Sequence, residues 1–527
     1  MSQASGPPPA DRPEPGQAAA LTSVPRRLRW GAVLSVAALV LVAFVGSTWA
    51  AFVDIESGDF EVGVTIPPRP KLTPQGSSLA GTALAIDDQG RAVIWGQRGY
   101  NISGTGVETV TATTPASVVA LPAGRTIEIL TGGSNEGTYA GNSTFVVALD
   151  NQGQIWTWGF SASEYFLGGR QPTTEYPLSK PGPVNLPDRV VDVKTTTQST
   201  IVLTAGGDVY TWGKNVYAMT GQGSSINSAT PRRILTGVHS IGAGYWAGWA
   251  VAAPGWTKVT YASEADAVGS QSAKQTSGGL LFWGRQDTTF GGGSAGDGRV
   301  GGNYHSPGLV ASSSPLAVAL AAGTAAGDDN VTLGVRAGSK RDGGTFQQMT
   351  GSFAGNQFRL RDGSTYLWGN SPRFATGSNV SMTTGLSDYI PQLVKVGRPI
   401  VQISTSVDII FLRDDSGTVW MYGSRANSGQ YPNASGVPQD RAAGDIRVPT
   451  RIDGGTAYPG WAAQGVIDIV GSGINTFLRR SDGSFWIVCG ASVSAPTKNG
   501  AAVVRNYLDS RNSISVDYVR PLTQLNL

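Results

Sequence analysis

The sequence predicts an all-β protein, and three observations predict it. Glycine is abundant, with 72 residues in a chain of 527, while charged residues make up only 14%. Helical proteins of this size carry more Leu, Glu and Lys, so this balance favours turns and short strands. Many of the fourteen Trp end short apolar runs, where aromatic residues suit a pleated, half-buried surface. One phrase also returns along the chain: an apolar run, a turn with Asp, Asn or Gly, a second alternating run, then Trp-Gly. Repeats of this period mark units that bury their faces on one another.

In chain order, residues 1–29 come first. Rich in Pro, Ala and Gly and carrying Arg26, Arg27 and Arg29, they read as a disordered, basic, cytoplasmic tail. Residues 30–53 read as a signal peptide or signal-anchor helix. The uncharged run from Gly31 to Val53 would extend ~34 Å as a helix, enough to span a bilayer. Basic residues ahead of an apolar run hold the N-terminus inside, so the rest of the chain is expected outside. The small residues Gly46, Ser47, Thr48, Ala50 and Ala51 suit a cleavage region. Residues 54–76 read as a linker or a closing strand.

The stretch "GSTWAAFVDIESGDFEVGVTI" resembles the signal region of the camelysin and TasA-like biofilm-matrix proteins, through Gly46, Thr48, Trp49, Ala50, Ala51, Phe52, Asp54 and Ile55. In that family a dedicated signal peptidase cuts just before the Phe, which implies cleavage between Ala51 and Phe52. An uncleaved single-pass anchor is the alternative. Both readings place the bulk of the chain outside the membrane.

Seven units follow. They contain "LAIDDQGRAVIWG" from Leu84, "VVALDNQGQIWTWG" from Val146, "IVLTAGGDVYTWG" from Ile201 and "TSGGLLFWG" from Thr276. The others contain "FRLRDGSTYLWG" from Phe358, "IIFLRDDSGTVWMYG" from Ile409 and "TFLRRSDGSFWIVCG" from Thr476. Their closing glycines, Gly96, Gly159, Gly213, Gly284, Gly369, Gly423 and Gly490, lie 54 to 85 residues apart. Two apolar runs joined by an Asp/Gly turn form a hairpin. Further short strands such as "VVDVKT" from Val190 and "GVIDIVG" from Gly465 give three or four strands per unit. Such units cannot bury both faces alone, and a ring leaves no exposed ends. Residues 77–527 are therefore expected to form a single seven-bladed β-propeller of antiparallel blades, closed by a strand near Ser515 or near Glu61.

The Asp-x-Gly turn, aromatic strand and Trp-Gly pair resemble the regulator of chromosome condensation repeat, whose family fold is a seven-bladed propeller. The motif after Trp-Gly survives only in part, as Gly221 to Gly223 and "SGQYP" from Ser428, and Cys489-Gly490 and Tyr422-Gly423 replace two Trp-Gly pairs. The family includes a nuclear nucleotide-exchange factor that sits on chromatin and secreted bacterial propellers that bind proteins. Resemblance thus implies fold more firmly than function.

Formal charge is +3, from 39 basic and 36 acidic residues. Without a basic stripe, a nucleic-acid partner is not expected. The single cysteine, Cys489, excludes an intramolecular disulfide and a multi-cysteine metal site. His239 and His305 fall in different units and no nucleophile elbow accompanies them. Asp87, Asp88, Asp362, Asp414, Asp415 and Asp482 recur at hairpin turns, where Asp caps its own backbone. No catalytic residue, cofactor or metal is expected.

Insertions gather between Gly213 and Gly369. One holds Tyr245, Trp246, Trp249 and Trp256, and another holds Asp328 and Asp329. These six are the candidate partner-binding residues, since binding residues collect on propeller loops. The aromatics would contact a protein or glycan if exposed, or fill the interface between blades if buried. A second aromatic series, Tyr100, Tyr165, Phe166, Tyr217, Phe290, Phe374 and Tyr431, follows the Trp-Gly motif and would plug the gaps between blades or ring one face. The expected function is an exported, non-enzymatic binding or scaffold propeller at the bacterial cell surface or extracellular matrix. The alternative is a secreted inhibitor or receptor that docks on an extracellular enzyme.

Overall fold

A computed structural model describes residues 52–54, 63–65, 72–76, 82–96, 101–106, 117–133, 144–160, 167–223, 227–263, 265–286, 295, 302–325, 348–351, 356–360, 363–368, 390–394, 396–406, 409–423, 446–451, 465–472, 475–481, 485–489 and 519–521. The chain divides into two units, Met1–Pro67 and Pro68–Leu527. In the first, β1 (Phe52–Asp54) pairs antiparallel with β2 (Gly63–Thr65). Phe52 and Val53, expected as the end of a helix, are strand; the rest of that expected helix lies outside the described residues. The segment near Glu61 thus pairs within a short hairpin rather than in a larger sheet.

The second unit is built from antiparallel sheets. β3 (Leu72–Gln75), β4 (Thr82–Asp87), β5 (Ala92–Gly96) and β6 (Ser117–Val119) form the first, which begins ahead of the expected boundary at 77. β7 (Ile127–Gly133), β8 (Phe145–Asp150), β9 (Ile155–Trp158) and β10 (Gly182–Val184) form the next. β11 (Val190–Thr195), β12 (Ser199–Thr204), β13 (Val209–Gly213) and the long β14 (Ser228–Ala243) follow. The second half of β14 also pairs with β15 (Ala247–Thr260), and β15 with β16 (Ser270–Gln271) and β17 (Gly279–Arg285). β17 in turn pairs with β18 (Asn303–Leu309). A single bridge from Ala243 to Thr350 joins this sheet to β19 (Gln348–Gly351), β20 (Asn356–Arg359), β21 (Thr365–Trp368) and β22 (Gln392–Val394). Two more four-stranded sheets complete the chain. They are β23 (Ile400–Ser406), β24 (Ile409–Asp414), β25 (Val419–Gly423) and β26 (Ile446–Arg451), then β27 (Val466–Ser472), β28 (Asn475–Arg480), β29 (Phe485–Cys489) and β30 (Val519–Pro521). The segment near Ser515 thus supplies the last strand of the last sheet.

First strands lie side by side: β3 meets β7, β7 meets β11, β11 meets β14, β14 meets β19, β19 meets β23, and β23 meets β27, which meets β3. Four of them shift register near their start, at Ile127/Ile129, Val190/Asp192, Ile400/Gln402 and Val466/Asp468, and β14 shifts at the start of its second half, at Thr236/Val238 and Val238/Ser240. A bulge adds local twist, and its recurrence was not visible in the sequence.

The hairpin turns follow the expected chemistry. The Asp150 carboxylate accepts from the main-chain N–H of Gln152 and Gln154, both at 2.9 Å, and Asp414 accepts from Ser416 and Thr418 at 2.9 and 3.0 Å. Asp87 does the same for Gln89 and Arg91. The second oxygen of Asp150 and of Asp414 accepts from an indole six residues on, Trp156 at 2.9 Å and Trp420 at 3.0 Å. Asp362 and Asp482 lie outside the described residues.

Trp-Gly has a distinct task. Trp158, Trp212 and Trp283 are fully buried and donate across to the preceding sheet's loop, at Ile102 O (3.0 Å), Leu167 O (3.2 Å) and Met219 O (3.0 Å). Gly104, Gly169 and Gly221, all at positive φ, lie against these indoles and leave no room for a Cβ.

A helix that the sequence did not suggest, α1 (Pro315–Ala325), follows β18. Pro315 opens it where a missing N–H is harmless, and its alanines favour it. Leu316 and Leu320, one turn apart, pack in a core with Trp249, Phe282, Phe358 and Trp368.

Candidate functional site

Strand direction alternates within each sheet, so the turn after the first strand and the loop after the third emerge at the same end. At this end the third sheet contributes the turn Thr196–Gln198 and the loop from Lys214. The strands that follow in the same sheet, from the second half of β14 through β15, β17 and β18, contribute the turn at Tyr245 and Trp246 and the residues after Gly284. These segments are tied together. Thr197 donates its main-chain N–H (3.2 Å) and its hydroxyl (3.1 Å) to Tyr245 O, and the Arg285 N–H bonds Trp246 O at 3.0 Å.

The side chains then converge on a cation. The Arg285 guanidinium carbon lies 4.3 Å from the Tyr217 ring centre and 4.2 Å from that of Trp246. Tyr217 and Tyr245 meet Trp246 edge-on, at 5.5 and 5.0 Å. Trp246 and Arg285 are only 2% and 8% exposed, so they form the floor. Tyr217 and Tyr245 are half-buried, and Val216, next to Tyr217 in the chain, is 49% exposed. The result is a small aromatic ledge with an immobilised guanidinium beneath it. Such a surface suits recognition by contact, because rigid aromatics give up little entropy when a partner covers them.

The expected aromatic cluster is thus divided among three places. Trp246 supports the ledge. Trp249 is fully buried in the core, 4.6 Å from Phe282 and 5.3 Å from Trp368, and has no face for a partner. Trp256, 3% exposed, sits on the extension of β15 and donates to Ser277 O at 2.9 Å. For these three tryptophans the exposed reading is corrected. A strand alternates its side chains between two packed faces, so aromatics close in sequence part company. Asp328, Asp329 and Ala51 lie outside the described residues, and of Phe52 only the strand is described. Of the second aromatic series, Tyr217 is described and belongs to the ledge.

The insertion itself folds back along the outer strand of the third sheet. Arg232 stacks on Tyr261 at 4.8 Å and donates to Ser263 O, while the Tyr261 hydroxyl donates to Arg233 O at 3.0 Å. Burial raises the Tyr261 pKa above its usual value. Pro231 and the two arginines guard an edge that would otherwise invite another strand. A shallow concavity of about 400 Å³ remains between Tyr210, Arg233, Tyr261 and Val268.

Neither histidine anchors a cluster. His239 is half-buried at the β14 bulge, and burial lowers its pKa. His305 is exposed in β18. Among the described residues, no three His, Cys, Asp or Glu side chains gather where they could hold a metal ion, and no helix is long and apolar enough to cross a membrane.

No family model matches the chain. Among solved structures, Prp20p of Saccharomyces cerevisiae is similar over 84% of this chain and 88% of its own, with a TM-score of 0.50 and 16% identity. Yeast RCC1 (Prp20) in a structure with Kap60 bound aligns over 84% and 85%, again with a TM-score of 0.50 and 16% identity. The fold is that of an RCC1-like β-propeller. Human WBSCR16 also aligns with this propeller, over 82% of the chain and 96% of its own length, at 15% identity and a TM-score of 0.48.

Proposed function

We propose that the chain is an exported, non-enzymatic binding module, a seven-bladed propeller that docks a protein partner on the ledge of Val216, Tyr217 and Tyr245. The observation that carries this reading is the convergence of two segments, the loop with Tyr217 and the turn with Trp246, on Arg285 at the end of β17, where a buried cation and two rings hold a partly open aromatic surface. Support for seven blades comes from the seven repeats and from the succession of first strands that leads from β3 round to β27 and back. The recurrent carboxylates described are engaged in turns, which favours binding over catalysis. A protein partner is favoured because the similar Prp20p is described with binding to Gsp1p and histones. The apolar run from Gly31 to Val53 supports export, with cleavage between Ala51 and Phe52 releasing the propeller to the cell surface or matrix.

The test compares the full chain with its Val216→Asp/Tyr245→Ala variant in affinity capture from the producing culture, read by quantitative mass spectrometry. A partner retained by the wild type and lost by the variant is expected, and equal capture by both removes the ledge from the proposal. Mass spectrometry of the mature N-terminus is expected to begin at Phe52. Recovery of an intact Met1 on surface protein would overturn the cleavage.

A further inference from the structure

Every strand of the first sheet lies between Leu72 and Val119, and every described strand of the last between Val466 and Pro521. Among the described residues, no sheet takes strands from both ends of the chain. Every other pair of neighbouring sheets is joined by the chain, and at three of those junctions bonds also link inner strands. Gln75 Oε1 accepts from Leu130 N–H at 3.2 Å, and the Thr131 and Thr195 hydroxyls meet at 2.7 Å. The Gln402 side chain donates to Asp468 Oδ1 at 2.7 Å and accepts from Ile469 N–H at 3.1 Å. The last and first sheets have no chain connection between them. Gly76, just after β3, faces β27 there: a Cβ built on it would lie 3.7 Å from Val470 Cγ1 and 3.5 Å from Gly471 O.

We propose that this junction is a seam at which the ring opens reversibly while the other junctions stay closed. The inference rests on the ring reading above. Opening at the seam breaks one packed interface and frees both chain ends to separate. Opening elsewhere leaves the two sides joined by the chain, which limits the gap and favours reclosure. Local openings draw on the least tethered contacts of a structure. The seam would therefore let a partner or neighbouring chain reach the inner strands without global unfolding.

The test is a removable lock, Gly76→Cys/Val470→Cys, in the full chain with Cys489→Ala. A Cβ at Gly76 in van der Waals contact with the Val470 side chain makes this pair the candidate for the bond. In the reduced protein, hydrogen exchange is expected to be faster in Leu72–Asp87 and Val466–Arg480 than in Ile127–Asp150 and Val190–Thr204. Oxidation should slow the first pair about tenfold and leave the second pair unchanged. A bond that forms without altering those rates overturns the seam. Failure of the bond to form in a chain that folds, judged by near-ultraviolet circular dichroism, overturns the ring and the seam with it. As an independent check, Val470→Ala should speed exchange in the same two segments alone, and uniform acceleration along the chain would count against the seam.

Discussion

The Trp212 indole donates to the main-chain oxygen of Leu167 at 3.2 Å, across 45 residues of sequence. The bond places a fully buried ring between two sheets, and the next glycine, Gly213, turns the chain away at φ +120°. Trp158 and Trp283 repeat the arrangement, so sheet-to-sheet packing is reinforced by one device used several times.

Trp212→Ala is expected to destabilise the propeller by about 3–5 kcal/mol, the usual loss for an emptied aromatic site. Trp212→Phe keeps most of the apolar volume but strands the Leu167 oxygen, for about 1–3 kcal/mol. Urea denaturation followed by tryptophan-independent circular dichroism checks both values and their order.

Gly213→Ala should be more damaging than Gly106→Ala. Both residues have positive φ, so each change carries about 1–2 kcal/mol of backbone strain. At Gly213 a Cβ would also lie 2.5 Å from Gln198 O, whereas Gly106 has open space around it. Midpoints of thermal unfolding for the two variants would show the difference, and equal shifts would contradict it.

Acid stability should depend on Asp414. Burial raises its pKa, but the bonds from Ser416, Trp420 and Thr418 outweigh that and hold it below the ordinary value of 3.8. A depressed carboxylate stabilises the fold fully above its unfolded pKa and loses that contribution as pH falls through the folded value. Asp414→Asn should therefore lower stability at pH 7 and flatten its fall below about pH 4. Denaturation midpoints across pH 2–7 would test this, and an unchanged acid limb would contradict it.

On the ledge, stability and binding should separate. Val216→Asp and Tyr245→Ala change partly open side chains and are expected to leave unfolding midpoints nearly unchanged while weakening capture by about tenfold or more. Trp246→Ala removes the buried floor and should lower both.

Much of the fold was legible. The Asp turns, the hairpins and the Trp-Gly pairs obey local rules, because a positive φ, a side-chain cap or a strand alternation is decided within a few residues. Asp87 and Asp414 could be assigned to their turns from the repeat, whereas Asp150, which caps its turn in the same way, was not singled out. Helix α1 was not foreseen, since "PLAVALAAGTA" is apolar on every side and carries no amphipathic period. The ledge was only half legible: Tyr245 and Trp246 stood out as aromatics, and Tyr217 as a repeated position, but nothing in the sequence linked Arg285 to them.

By itself the sequence determined an all-β repeat protein, with aspartates at its hairpin turns and recurring Trp-Gly pairs at its strand ends. Only the tertiary structure decided which neighbour each side chain meets. Trp246 and Trp249 are three residues apart, yet one meets a cation beneath a surface and the other an aromatic core. Arg413 lies in an apolar strand, and its partner Gln402 reaches Asp468 in the next sheet. The physical reason is sequence distance: contacts between sheets join residues 45 to 67 positions apart, beyond the reach of any local pattern, and they form only when whole units pack together.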